Sequence, residues 1–374
     1  MVMTLIFAAG FALAYVNGAN DVSKGIATLV GSGVANYSRA IQWGTFWTGV
    51  GGVAGAFWAR AMIQTFGSSL LSPGVHASVS AALATLIGAA LWVAFATWKA
   101  LPVSTTHGIL GSIAGVGVLA YGWVGIQWVA LAGKIALPLL LSPIVSLVLT
   151  ASILSAWKKI AAGSTHDCIC AQVVPSMNTF SSGEAVLSPH LSVPQLHLAT
   201  CDAQAGVSAG LTQNHLHWLS SGAASFARGL NDVPKMVAIL LSAAMLSGTG
   251  FVLPLPYFLA ISFGVVIGSW MAGQRITQLL ACEVTQMDHR EGLVANLTTA
   301  SLVSVGAAFG WPMSTTHVAS GAIMGIASTR SCDENKISHT GTIRAMLAAW
   351  IITLPGAALL GAISYLLLRA VGVR

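Results

Sequence analysis

Charge is what this chain has least of. Sixteen Lys and Arg and ten Asp and Glu make up only 7% of its 374 residues. A soluble domain carries about 25% charged residues, so a large soluble helical protein is excluded for want of polar surface. No long basic run exists, and the cations are scattered between apolar segments, so the net charge of +6 leaves no nucleic-acid footprint. Neither a G-x-x-x-x-G-K-[ST] nucleotide loop nor a nucleophile–base–orienter set is present. That argues against a self-contained pump and gives no ground for an enzyme. The five cysteines form no disulfide framework. Met1-Val2-Met3-Thr4 offers no basic leader and no cleavage site. The first apolar run is therefore expected to be a spanning helix and not a removable signal.

What remains is apolar. Hydrophobic residues make up 55% of the chain, and there are 40 Gly and 12 Trp. Small residues let helices approach closely in lipid, and Trp43, Trp98, Trp123, Trp157 and Trp311, near the ends of apolar runs, suit the interfacial belt. A bilayer core of about 30 Å needs roughly 20 apolar residues per helix. Ten segments are drawn on that basis: 4–31, 41–66, 75–98, 104–121 and 127–157, then 218–247, 255–280, 292–310, 314–328 and 342–369. The expectation is an all-α polytopic membrane protein with a first repeat over 1–157, a linker over 158–217 and a second repeat over 218–374. The linker is rich in Ser, Pro, His and Gln and is expected to be largely disordered on the cytoplasmic side.

Orientation follows from the cations. With the first residue outside, the inside receives Arg39, Lys99, Lys158, Lys159, Arg290, Arg330, Lys336 and Arg344. The outer connections 67–74, 122–126 and 248–254 carry no charge, while Arg60, Arg369 and Arg374 are exceptions. The positive-inside rule then puts both termini outside, in a cell membrane. Each half has an odd number of segments, so the second enters from the opposite face. That is an inverted-topology repeat.

The repeat is visible in residues. Gly18-Ala19-Asn20-Asp21-Val22-Ser23-Lys24 matches Gly229-Leu230-Asn231-Asp232-Val233-Pro234-Lys235. Pro102-Val103-Ser104-Thr105-Thr106-His107 matches Pro312-Met313-Ser314-Thr315-Thr316-His317. From Asp21 to Pro102 is 81 residues, and from Asp232 to Pro312 is 80.

Asp21 and Asp232 each fall inside an apolar segment. A carboxylate there is costly and usually faces a cavity or pathway. Gly18, Gly229 and Pro234 are expected to let the helix open, exposing carbonyls that hold a cation beside the acid. A structural pairing of each Asp with the Lys three residues on is the plainer alternative. Ser104 and Ser314 are natural N-caps after proline. The free N–H groups and positive dipole end of such a start, with three hydroxyls, can hold a small oxyanion; two ordinary capped helices are the alternative. If the two starts share one substrate, each must dip into the membrane as a re-entrant hairpin. His107 and His317 are expected to orient those starts. The linker set His166, Cys168, Cys170, His190, His197, Cys201, His215 and His217 has no tight metal spacing, and no resident metal or other cofactor is expected.

On the Asn-Asp and Pro-x-Ser-Thr-Thr-His pairs the chain resembles the inorganic phosphate transporter family, across everything but the linker. The resemblance implies a dimeric symporter coupling phosphate to Na⁺ or H⁺, with sulfate the rival substrate. It implies that Ser104, Thr105, Thr106, Ser314, Thr315 and Thr316 contact the anion. Asn20, Asp21, Asn231 and Asp232 would line the site and help bind the coupling cation. The chain departs from many relatives in carrying Ser23-Lys24 and Pro234-Lys235 after the acids. Before any lysine is counted, divalent phosphate beside two carboxylates carries a local charge of about −4, which a low-dielectric site tolerates only if cations or protons enter too. A channel built on the same hairpins, and a non-transporting sensor, are the other classes.

Overall fold

A computed structural model describes residues 2–67, 70–75, 77–160, 168–179, 185–192, 195–196, 207–246, 254–283, 287–329 and 340–373. The first half runs α1 (Val2–Asp21), α2 (Ser23–Gly31), α3 (Tyr37–Trp58), α4 (Arg60–Gly67), α5 (Val79–Trp98), α6 (Thr105–Tyr121) and α7 (Trp128–Ile160), the last with a π-helical stretch at Leu131–Ala136. The second half runs α8 (Gln213–Leu246), α9 (Pro254–Ala272), α10 (Gln274–Gln278), α11 (His289–Phe309), α12 (Thr315–Ser328) and α13 (Thr340–Ala370). Local chemistry sets many starts. Asn36 caps α3 through the Arg39 N–H and Ser78 caps α5 through the Ala81 N–H. Asp288 and Glu291 form a capping box on α11, with bonds of 2.8 and 2.9 Å.

Among the described residues, seven helical runs are long and apolar enough to cross a membrane: 3–31, α5, α7, α8, α9, α11 and 341–370. Ten were expected. The difference lies in α3, whose 22 residues include polar and glycine positions, and in α6 and α12, with 17 and 14 residues. At 1.5 Å per residue the last two reach only about 26 and 21 Å, short of a bilayer core.

The burial pattern is that of a protein in lipid. Asp21, Lys24, Arg228, Asp232 and Lys235 are all buried, while Phe46, Ile144, Ile351 and Leu359 stand on the surface. Only a surround that rewards apolar contact permits that arrangement. The chain is a multi-pass membrane protein.

Helices of the two halves exchange partners. α3 runs along α8 and α1 along α9; α6 lies against α13 and α12 against α7. Glycines mark each crossing. A Cβ on Gly18 would stand 2.7 Å from the Ser269 nitrogen on α9, and one on Gly229 would stand 2.7 Å from the Gly52 nitrogen on α3. Gly111 and Gly115 abut the Leu354 and Ala358 carbonyls, as Gly321 and Gly325 abut those of Pro143 and Leu147. No side chain fits at these approaches. An apolar core of Leu13, Leu86, Val233, Val237, Phe258 and Val265 fills the space between α1, α5, α8 and α9.

The linker differs from expectation in two ways. α7 continues to Ile160 and α8 begins at Gln213, so its helical flanks are longer than the apolar runs suggested. The reason for the early start of α8 is tertiary: His217 is buried, and the Trp218 carbonyl accepts from Trp43 Nε1 at 2.8 Å. Between them, four strands replace the absence of regular structure read from composition: β1 (Cys168–Thr179), β2 (Ala185–Ser192), β3 (Gln195–Leu196) and β4 (Val207–Thr212). β1 pairs antiparallel with the other three. Ile169, Val173 and Val174 give β1 strand-forming residues that the overall polar composition hid.

Candidate functional site

α1 stops at Asp21 and α2 starts at Ser23. Between them the Gly25 N–H reaches the Val22 carbonyl at 3.2 Å, a tightened turn. The expected opening is therefore present in the first copy as a one-residue break. It is absent in the second: α8 runs unbroken through Asn231, Asp232 and Pro234. Proline removes one N–H, but Gly229 and Pro234 are packed against α3, and the helix continues through both.

Each acid is held by its own lysine. Lys24 Nζ donates to Asp21 Oδ1, to the Asn20 carbonyl at 2.6 Å and to Asn20 Oδ1 at 2.9 Å. Lys235 Nζ donates to Thr106 Oγ1 at 2.7 Å, to the Met313 carbonyl at 3.0 Å and to Asp232 Oδ1 at 3.2 Å. Asn17 ties the halves together. Its Nδ2 donates to Asp21 Oδ2 at 2.9 Å and Thr105 Oγ1 at 3.1 Å, and lies 3.4 Å from Asp232 Oδ2. Thr105 Oγ1 itself donates to Asp21 Oδ2 at 3.2 Å. Asn20 Nδ2 anchors the end of α5 through Thr97 Oγ1 and the Leu101 carbonyl, at 3.0 and 3.1 Å. Asn231 Nδ2 does the same on its side, reaching the Met313 carbonyl at 2.9 Å and Asp232 Oδ1 at 2.8 Å.

The two Ser-Thr-Thr starts meet. Ser104 and Ser314 are N-caps, each accepting from the N–H of the histidine three residues on at 3.2 Å. Thr316 Oγ1 donates to the Val103 carbonyl at 2.8 Å, and Thr106 Oγ1 lies 3.5 Å from the Met313 carbonyl. The His107 and His317 rings meet tilted at 45° with centroids 4.6 Å apart, and the His317 and Trp350 ring centroids are 4.0 Å apart. Trp350 Nε1 donates to the Pro102 carbonyl at 3.1 Å, fixing the loop before α6.

Ser104, Thr105, Thr106, Ser314, Thr315, Thr316, Asn20, Asp21, Asn231 and Asp232 are thus all buried, and the bonds above join the loops and helices that carry them into one cluster. Convergent helix starts supply donors for an oxyanion; the carboxylates and carbonyls supply oxygens for a cation. Sequence reasoning missed Asn17 and Arg228. Both were findable: each precedes an acid by four residues, one helical turn. Arg228 Nη2 donates to Ser269 Oγ at 3.2 Å, while Nε and Nη1 are buried without a partner among the described residues. The linker histidines and cysteines fall mostly outside the described side chains. Of them, His217 is seen buried beside His289, ring centroids 6.4 Å apart.

A sequence profile of the phosphate transporter family matches residues 17–361. The chain belongs to the phosphate transporter family. A protein of Pyrococcus abyssi described as a phosphate permease is 27% identical over 100% of this chain and 98% of its own length. The chloroplastic inorganic phosphate transporter 2-1 of Arabidopsis thaliana is 25% identical over 96% of this chain and 70% of its own. A solved structure titled the sodium-dependent phosphate transporter shares the fold, with a TM-score of 0.79, 21% identity and 99% of each chain covered. The family match takes in both Asn-Asp motifs and both Ser-Thr-Thr starts, so the buried cluster lies wholly within the part this transporter shares with its family. The relatives and the fold are those of transporters and not of enzymes.

Proposed function

We propose that this chain is a secondary active symporter that carries inorganic phosphate across the cell membrane by alternating access, coupled to Na⁺ or H⁺. The observation that carries the reading is the meeting of two helix starts beside two buried carboxylates, with Asn17 bonded to Asp21 and Thr105 and near Asp232. In this reading Ser104, Thr105, Thr106, Ser314, Thr315 and Thr316, with Asn20 and Asn231, form the phosphate site. Asn20, Asp21, Asn231 and Asp232 form the cation side.

The exchange of helix partners supports two repeats of inverted topology over 1–157 and 218–374, joined by a cytoplasmic linker over 158–217. The shortness of α6 and α12 supports re-entrant hairpins that bring their starts to mid-depth. Rocking of one half against the other would open the site alternately to each face. The distribution of loop cations supports both termini outside, and in this reading the protein works as a homodimer in lipid.

The test is uptake of labelled phosphate by purified protein in proteoliposomes, with Na⁺ and pH gradients imposed separately and unlabelled sulfate as competitor. Concentrative uptake driven by either gradient is expected, with weak sulfate competition. Strictly downhill flux would make the protein a channel. Sulfate outcompeting phosphate would change the substrate.

A further inference from the structure

Resting on the transport reading above, we infer that Lys24 and Lys235 are the site's built-in cations and that phosphate moves without sodium. A sodium ion held beside Asp21 would need a carboxylate, an amide oxygen and a backbone carbonyl, the hard oxygen donors that cations of its class take. Those three oxygens are present, and Lys24 Nζ is bonded to all of them: Asp21 Oδ1, Asn20 Oδ1 at 2.9 Å and the Asn20 carbonyl at 2.6 Å. Beside Asp232 the oxygens are a carboxylate, a hydroxyl and a carbonyl, and Lys235 Nζ is bonded to Asp232 Oδ1, Thr106 Oγ1 and the Met313 carbonyl. An ammonium has three N–H donors. Each lysine spends all three on this set of oxygens.

The arrangement is built in twice, on unlike frames. One lysine follows a broken helix and the other an unbroken one, yet both sit three residues after an acid and both are buried. Surface pairs at this spacing swing freely in water; these are locked by four further bonds to Asn20, Thr106 and Met313. A sodium ion entering either position would have to displace an ammonium or lie against it, and burial of both lysines makes that repulsion costly.

Charge leads to the same conclusion. Each Lys–Asp pair sums to zero, whichever partner holds the proton. The carboxylates therefore add no net negative charge to an incoming phosphate, and the local charge of about −4 falls to the −2 of the phosphate itself. Arg228 then sets the balance. It is buried, and two of its nitrogens lack partners among the described residues. It stands one helical turn before Asp232 and donates to Ser269 Oγ, which in turn donates to the Gly18 carbonyl on the helix that ends at Asp21. The cluster as a whole carries one positive charge before substrate enters, which suits an anion arriving without a metal ion.

The experiment is phosphate uptake into proteoliposomes at fixed pH, with external sodium replaced by choline, alongside counting of radioactive sodium taken up with phosphate. Equal rates in sodium and choline, with no sodium entry, are expected. A rate about tenfold higher in sodium, or sodium entering in stoichiometric ratio to phosphate, overturns the inference and leaves phosphate transport intact. Phosphate uptake under no condition overturns the transport reading and this inference with it. A second readout uses the Lys24→Asn/Lys235→Asn variant, taken as folded, monodisperse protein. It is expected to bind radioactive sodium where the parent does not. A folded variant that gains no sodium binding counts against the lysines as stand-ins.

Discussion

Thr316 donates to the carbonyl of Val103 at 2.8 Å, a bond between residues 213 apart in sequence. It ties the start of α12 to the residue before the Ser104 cap. Thr316→Val keeps the shape but leaves that buried carbonyl without its donor, at a cost of about 1–3 kcal/mol. Thermal unfolding in detergent is expected to fall accordingly, with phosphate uptake reduced. Thr316→Ser, which restores the hydroxyl, is expected to recover most of both.

The glycine crossings give a sharper test of packing. Gly18→Ala and Gly229→Ala each push a methyl group into the backbone of a facing helix, where the nearest nitrogen would stand 2.7 Å away. Neither neighbour is a flexible side chain that can swing aside. Overpacking of this kind costs about 1–3 kcal/mol, so both variants are expected to unfold at lower temperature. Gly133→Ala is the control, since nothing lies within 4 Å of its added Cβ.

The caps offer a paired measurement. Ser104→Ala and Ser314→Ala each remove one accepted N–H, for a loss of about 0.5–2 kcal/mol of stability. If those helix starts hold phosphate, the KM for uptake rises in both. Asn36→Ala, which uncaps α3 away from the cluster, is expected to cost stability alone. Equal KM shifts in all three variants would mean the Ser caps have no special part in binding.

These variants also mark what sequence could and could not reveal. The Ser104 and Ser314 caps were legible because a cap and its N–H partner lie three residues apart, within one motif. So was the pairing of Asp21 with Lys24, one turn away. Thr97, Met313 and Trp350 were not, because their contacts to Asn20, Lys235 and the Pro102 carbonyl cross 77 to 248 residues. Ten apolar segments could be counted, but hydropathy reads composition and not depth. It could not tell that α12, at 14 residues, is too short to span a bilayer. The Pro234 break failed for a related reason. Local propensity favoured opening, and packing of Gly229 and Pro234 on α3, invisible in the chain, overrode it.

The buried pairs support the last test. Asp21→Asn leaves Lys24 charged among carbonyls, and Lys24→Met leaves Asp21 with Asn17 and Thr105 as its side-chain donors among the described residues. Breaking a buried pair by removing one partner costs about 3–5 kcal/mol, whereas replacing both is often neutral. Each single variant is therefore expected to lose much of its thermal stability and all coupled uptake. The Asp21→Asn/Lys24→Met double variant is expected to regain stability without regaining uptake. The same cycle on Asp232 and Lys235 should behave alike, with one difference. Lys235 also holds Thr106 Oγ1 and the Met313 carbonyl, so its removal loosens both helix starts at once. The second double variant is thus expected to recover less stability than the first. Normal uptake by both Asp→Asn variants would remove the acids from the transport cycle. Strict additivity within both cycles would mean that the paired charges do not act as units, since residues in direct contact otherwise show coupling of about 0.5–3 kcal/mol.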